Sequence, residues 1–441
     1  MKLKKLSFSK IFCFLSILFI LTCCLIFGGR FIKLYLENRK VEIEEKNTLA
    51  KVLKDNNADN ENFKSVNGQN YFTDSTNTNY LLYSNILWRI IKINDDNSVT
   101  AISDSSLTSL AFGKKLNYEK SYVFKWLNKT EDEYSGILEK NLNDKETYLQ
   151  KTVTCLDKID KLENTPCKET NTDNYITLLP VVDYLNIGSK NSYLANSEYF
   201  YLGNSNSEDK IWYIDEDGGA TLSTGHDIIG IRPVITIKAN IDYISGDGTK
   251  EKPYKIEKEN ALFGSYVKID DTIWRIYEVN DSEVRIMLND YLKENNQKIT
   301  YKYSNISSYH DDYKYGSIAY YLNHTFLNSL SCKNKIKEVS WYNGYYNIDT
   351  DYDYKYALDE TIKSKVALMS IGNIFLNPEL TNYHTMTGNK NKGTMIYTIQ
   401  SNKKTFQKQI SSAINVVPTI SIDKELLQKG NGSVDSPYEM E

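Results

Sequence analysis

One ending occurs twice in this chain. Residues 228–256 read IIGIRPVITIKANIDYISGDGTKEKPYKI, and residues 414–438 read INVVPTISIDKELLQKGNGSVDSPY. Pro233 and Pro418 stand 185 positions apart; Gly246 and Gly430, like Pro253 and Pro437, stand 184 apart. A β-rich segment closed by Gly-x-Gly-[Thr/Ser]-x-x-x-Pro-Tyr thus recurs at a domain-sized period. Such a period restricts the chain to tandem, related domains.

Other features repeat in the same order. Trp88-Arg89-Ile90 and Trp274-Arg275-Ile276 are 186 apart, each among alternating β-formers ahead of an Asn-Asp turn, the pattern of a hairpin. Trp126-Leu127-Asn128 and Tyr321-Leu322-Asn323, 195 apart, sit in stretches with helical spacing of apolar residues. Leu178 matches Leu368, and Tyr201–Tyr213 is aligned with Met386–Tyr397, which sets Ile396 opposite Trp212. The expected fold is α+β, with one domain over 64–257 and a divergent repeat over 260–441. The second copy has Tyr321 for Trp126, Ile396 for Trp212 and Val417 for Arg232.

In this order the motifs resemble an uncharacterised domain family of surface proteins in low-GC bacteria. That family is distantly similar to C-type-lectin-like folds, the formylglycine-generating-enzyme type included. The resemblance covers nearly everything after residue 63, and Gly230-Ile231-Arg232 is the counterpart of a Gly-Phe-Arg motif on the final strand. It implies tandem lectin-like domains. The oxidase chemistry of the formylglycine type would need a reactive cysteine pair near the C-terminal strands, and Cys155 and Cys167 lie too early for it.

The N-terminus reads differently. Lys2, Lys4, Lys5 and Lys10 precede Ile11–Gly29, an uncharged stretch long enough to span a bilayer as a helix. A poor cleavage-site pattern at Phe27-Gly28-Gly29 favours an uncleaved signal anchor over a secretory peptide. Residues 1–10 are then a cytoplasmic tail and 30–63 a helical stalk ending in a flexible joint at NNADNEN. The domains face outward at the cell surface. In that oxidising setting Cys155 and Cys167, bracketing CLDKIDKLENTPC, are expected to form a local disulfide. Cys332 is left over.

The expected function is that of a non-catalytic extracellular binding protein for a glycan or peptide. The alternative is a structural or assembly component of an envelope complex; an enzyme of unrecognised type is the minor one. The four histidines, His226, His310, His324 and His384, make no metal or triad pattern. A net charge of −4, with no basic cluster outside the N-terminus, argues against nucleic acid. Trp212, with Asn204, Asn206 and Asp215, has the aromatic, amide and carboxylate composition that stacks and hydrogen-bonds sugars; the competing reading is a core tryptophan. Arg232 is expected to order the fold through a buried ion pair, and Trp88 and Trp274 to be structural. No cofactor is expected. Calcium is weighed on Asp349, Asp351, Asp353 and Glu360, which fall at EF-hand-like positions, but Tyr354 stands where the turn needs glycine.

Overall fold

The computed structural model describes residues 47–258, 261–303, 316–347, 349–350 and 352–440. The expected anchor at 11–29 lies outside them; among the described residues no helix is long and apolar enough to cross a membrane. The fold is mostly β-sheet with a few short helices.

In the first half the strands that recur in the second are β1 (Tyr80–Tyr83), β2 (Ile86–Ile93), β3 (Val99–Ser103), β4 (Thr108–Leu110), β5 (Ile176–Leu178), β6 (Phe200–Ser205), β7 (Ile211–Ile214), β8 (Ala220–Ser223), β9 (Ile229–Ile231), β10 (Pro233–Ile237) and β11 (Tyr254–Lys255). Their counterparts in the second half are β12 (Tyr266–Ile269), β13 (Thr272–Val279), β14 (Glu283–Leu288), β15 (Thr300–Tyr301), β16 (Val366–Ala367), β17 (Tyr383–Gly388), β18 (Met395–Ile399), β19 (Thr405–Gln409), β20 (Ile414–Asn415), β21 (Thr419–Asp423) and β22 (Tyr438–Met440). One sheet contains the run β11-β1-β2-β3-β10-β5 and its counterpart the run β22-β12-β13-β14-β21-β16. A second runs β8-β7-β6-β9-β4, and its counterpart β19-β18-β17-β20-β15.

Register agrees at the level of single residues. Leu81 pairs Trp88 and Val267 pairs Trp274. The β2–β3 ladder shifts between Ile90 and Lys92, and β13–β14 shifts at the corresponding Ile276 and Glu278. β11 joins β1 in parallel through Tyr254 and Leu81, as β22 joins β12 through Tyr438 and Val267. The glycines of the repeated turn explain its sequence. Gly246 and Gly430 have φ of +103° and +84°, and a Cβ on either would lie 2.1 Å from the carbonyl oxygen of Pro253 or Pro437. Only glycine fits there.

Register also corrects one alignment. Tyr213 pairs Tyr201 while Thr398 pairs His384, so Tyr397, not Ile396, is the counterpart of Trp212. A one-residue slip in a strand exchanges its faces. Tyr397 is buried and meets Tyr346 edge to face at 5.5 Å, so the second half keeps an aromatic at this position.

Helix α1 (Leu49–Asn56) falls in the segment read as a stalk. It is docked rather than free. Leu49, Ala50 and Leu53 are buried, Leu49 N donates to Ile241 O at 2.9 Å, and Asn57 Nδ2 caps the Leu53 carbonyl. The apolar face of the helix serves this contact. Helix α2 (Tyr122–Leu127) starts at Ser121, whose hydroxyl accepts from Phe124 N; the helical run 318–329, which holds a π turn over Tyr321–Phe326, starts the same way at Ser317.

After each helix comes the shared asparagine. Asn128 Nδ2 donates to Ile176 O at 2.9 Å while Oδ1 accepts Ile176 N at 3.2 Å. Asn323 treats Val366 alike, at 2.9 Å in both directions. The Leu-Asn dipeptide recurs because it clamps β5 and β16.

The halves share one apolar core. Asn85, at the β1–β2 turn, donates to Ala261 O and Phe263 O, and Arg275 donates back to Asn85 O at 2.7 Å. Trp126 Nε1 reaches Gly372 O at 2.8 Å, and Phe375 N reaches Leu107 O at 2.7 Å.

Candidate functional site

The four residues read as ligand contacts lie on β6, β7 and the turns beside them, but the hydrogen bonds they make run inside the protein. Asn204 Oδ1 accepts Val181 N at 2.8 Å and its Nδ2 donates to Asp157 O at 3.0 Å. Asn206 Oδ1 accepts the main-chain N–H groups of Glu208 and Lys210, closing the β6–β7 turn. Asp215 Oδ1 does the same for Asp217 and Gly219 after β7. Trp212 is only 7% exposed, packs in an apolar cluster with Leu202 and Ile214, and donates Nε1 to Ile159 O at 2.7 Å.

What Asn204 and Trp212 hold is the loop between the two cysteines. Cys155 and Cys167 are joined by a disulfide. Ile159 N donates to Ser205 O, and Asp157 accepts Lys168 N and Glu169 N at 2.8 Å each, tying the loop to itself and to β6. A loop rich in charge has little apolar surface to bury, so carbonyl acceptors and a covalent staple secure it. Cys332 is a buried free thiol, and burial pushes its pKa up.

Arg232 is fully buried and structural, but among the described residues no carboxylate pairs with it within salt-bridge distance. Its guanidinium donates to Ser103 O at 3.0 and 2.8 Å, Asp104 O at 2.8 Å and Leu194 O at 3.2 Å, and lies 4.9 Å from the Phe200 ring centroid. The expected ion pair is thus replaced by main-chain carbonyls, whose partial charges cost less to bury than a second ion. Desolvation holds its pKa below the usual arginine value. Trp88 and Trp274 are buried in their hairpins, donating to Tyr83 O and Thr272 Oγ1.

Of the residues weighed for calcium, Asp351 lies outside the described residues. Asp349 is exposed, whereas Asp353 is buried, accepts Lys355 N at 3.2 Å, and has its pKa raised by desolvation. Among the described residues the one grouping of three ligand-type side chains is Cys155, Asp157 and Cys167, and its two sulfurs are the disulfide.

An open cleft lies elsewhere, in the second half. Its volume is about 900 Å³. The floor is Trp274, Leu288 and Phe326; the walls carry Tyr291, Tyr321 and the carboxylates of Asp270, Asp271, Asp290 and Glu294. Tyr321 projects from the π turn, a distortion frequent at functional sites. Its ring stacks on Tyr301 with centroids 4.9 Å apart, and its hydroxyl donates to Glu294. Burial, with Glu294 beside it, raises the phenol pKa. Tyr291 is fixed by Thr381, whose N–H it accepts at 2.9 Å, and carries the Lys298 ammonium 4.2 Å from its ring centroid.

No protein-family model, curated protein or solved structure matches this chain.

Sequence reasoning had no means of assembling the cleft, because its walls come from the β12–β13 turn, the segment after β14 and the helical run. One signal pointed there. The offset between halves grows from 185 at Leu107/Leu292, whose N–H groups donate to Ile231 O and Val416 O, to 191 at Ser109/Thr300, which pair Gly230 and Asn415. The insertion is the small hairpin pairing Lys293–Glu294 with Gln297–Lys298, and it forms one rim. Lys114, Lys115, Lys120 and Lys158 likewise gather, unforeseen, around a cleft of about 440 Å³ in the first half.

Proposed function

We propose that the protein is a membrane-anchored, outward-facing and non-catalytic binding protein. Two lectin-like copies form its body, and the ligand site lies in the second copy. The observation that carries this reading is the open cleft of about 900 Å³, where half-buried tyrosines, an apolar floor and exposed carboxylates converge. Clefts of this size and mixed lining are where ligands bind. The matching strand orders support the duplicated architecture. The anchor rests on the uncharged run 11–29.

With Trp212 committed to the core and to the disulfide loop, the role of ligand-binding copy moves from the first half to the second. The test is a glycan-array and cell-wall pull-down with the full chain, with and without calcium, alongside Thr325→Arg. Thr325 is exposed on the helical wall of the cleft, so arginine there obstructs the cleft without entering the core. Saturable capture lost in the variant is expected. Capture unchanged by Thr325→Arg but lost on disturbing β6–β7 would return the site to the first half.

A further inference from the structure

Both halves build the same groove, and the first half fills its own. There the groove runs between Trp126 on α2, Leu107 after β3 and Asn85 at the β1–β2 turn. Gly372–Leu376, from the second half, lies along it. Trp126 Nε1 donates to Gly372 O, Phe375 N donates to Leu107 O, and Arg275 bridges Leu376 O and Asn85 O at 2.7 Å each. Ile374, Phe375 and Leu376 are buried.

Three internal matches carry those walls into the second half. The asparagine clamps set Tyr321 opposite Trp126. Leu292 stands opposite Leu107, since their N–H groups donate to Val416 O and Ile231 O. The hairpin registers set Asp271 opposite Asn85. All three counterparts line the open cleft.

We propose that this cleft is a docking groove for an extended, cationic polypeptide segment of another protein, seated as Gly372–Leu376 is seated in the first half. The proposal rests on the binding reading above and names its ligand class. The chain's own segment is committed to the contact between the halves, so a different polypeptide must supply the occupant. Head-to-tail contacts of this kind leave one acceptor surface unfilled at the end of the row.

Charge separates the two occupants. Neutral Ser84, Asn85 and Ser105 in the first half meet a neutral Gly-Asn-Ile-Phe-Leu segment; Asp270, Asp271 and Asp290 replace them in the second. With Glu294 these are four carboxylates against two lysines, Lys293 paired with Asp290 and Lys298 over the Tyr291 ring, so the rim stays net negative and the complementary segment carries positive charge. Leu292 O is already taken by Ile299 N at 3.0 Å. Asn289 offers a replacement: it lines the cleft, and its buried side-chain oxygen has no donor among the described residues. Turned into the cleft, that oxygen would accept a main-chain N–H of the visiting segment.

The test is fluorescence anisotropy on the full chain with two labelled peptides. One is Gly-Asn-Ile-Phe-Leu-Asn-Pro, copied from residues 372–378; the other has lysine in place of both asparagines. The lysine peptide should bind saturably and more tightly than the neutral one, and its Kd should rise at least about tenfold on Thr325→Arg or Asp271→Lys. Equal binding of a scrambled lysine peptide, or indifference to both variants, overturns the proposal. If neither peptide binds but a glycan does, in a manner blocked by Thr325→Arg, the peptide assignment fails and the binding function stands. If nothing binds, both fall.

Discussion

Asn128→Ala isolates the clamp that recurs in both halves. Asn128 is 1% exposed and Ile176 is fully buried. Truncation removes the acceptor of Ile176 N and one of two donors to Ile176 O; the Tyr118 hydroxyl, at 3.2 Å, still serves the carbonyl. An orphaned buried N–H costs about 1–3 kcal/mol and a lost bond to a still-partnered carbonyl about 1, so the expected loss is about 2–4 kcal/mol. Asn323→Ala should cost less, because Asn323 is only half-buried. Urea unfolding followed by circular dichroism measures the sum. Hydrogen exchange at the Ile176 amide measures the site itself, which matters because a two-unit chain need not unfold in one step. A cost under about 0.5 kcal/mol with unchanged protection of that amide would refute the reasoning.

Three further outcomes follow from the geometry. Trp212→Ala should cost about 3–5 kcal/mol in a thermal or chemical melt and loosen the disulfide loop, since it empties a core position and orphans Ile159 O; a variant that melts like the parent but loses ligand would restore the sugar-stacking role. Lys158 and Lys161 are exposed on the stapled loop, and reducing Cys155–Cys167 should loosen its backbone and speed trypsin cleavage there while leaving the sheets intact, as limited proteolysis with and without reductant would reveal; unchanged cleavage would mean that side-chain contacts alone hold the loop. His384 is buried and its pKa is pushed down to about 4, with Nε2 donating to Tyr301 O at 2.9 Å and Nδ1 without a partner among the described residues. The folded state therefore favours the neutral ring. Its contribution to stability is present above the unfolded pKa near 6.5 and is lost as pH falls towards 4, on the order of 3 kcal/mol in all; His384→Gln should flatten that part of the stability profile.

The matching strand order of the two halves was legible because the residues that repeat are those the fold cannot replace. Gly246 and Gly430 touch backbone, Trp88 and Trp274 fill hairpin cores, and Asn128 and Asn323 satisfy main-chain groups. The candidate site was not legible, for a physical reason. Aromatic, amide and carboxylate side chains contact a protein's own loop with the chemistry they would use on a ligand, so Trp212 and Asn204 look alike in either role. Arg232 misled in the same manner: a buried arginine suggests a carboxylate, yet carbonyls from the β3 end and Leu194 suffice.

The two halves diverge where their neighbours differ. In the first half, Trp212 and Asn204 secure the disulfide loop; at the matching positions the second half has Tyr397, which packs on Tyr346, and Thr387, whose hydroxyl accepts Ile371 N as Asn204 accepts Val181 N. That exchange keeps the acceptor needed by the main chain and omits the partner for a loop. Trp126, likewise, is a donor to a segment that fills its groove, and Tyr321 stands at the same place on a groove left open, its hydroxyl turned to Glu294 on the rim. Both replacements follow what covers the position. Loss of a tryptophan in the second half is therefore no sign of a decayed copy; at Tyr321 it accompanies the one wall set that remains accessible, and that is why the open cleft, rather than the better-preserved motifs, is where a ligand should be sought.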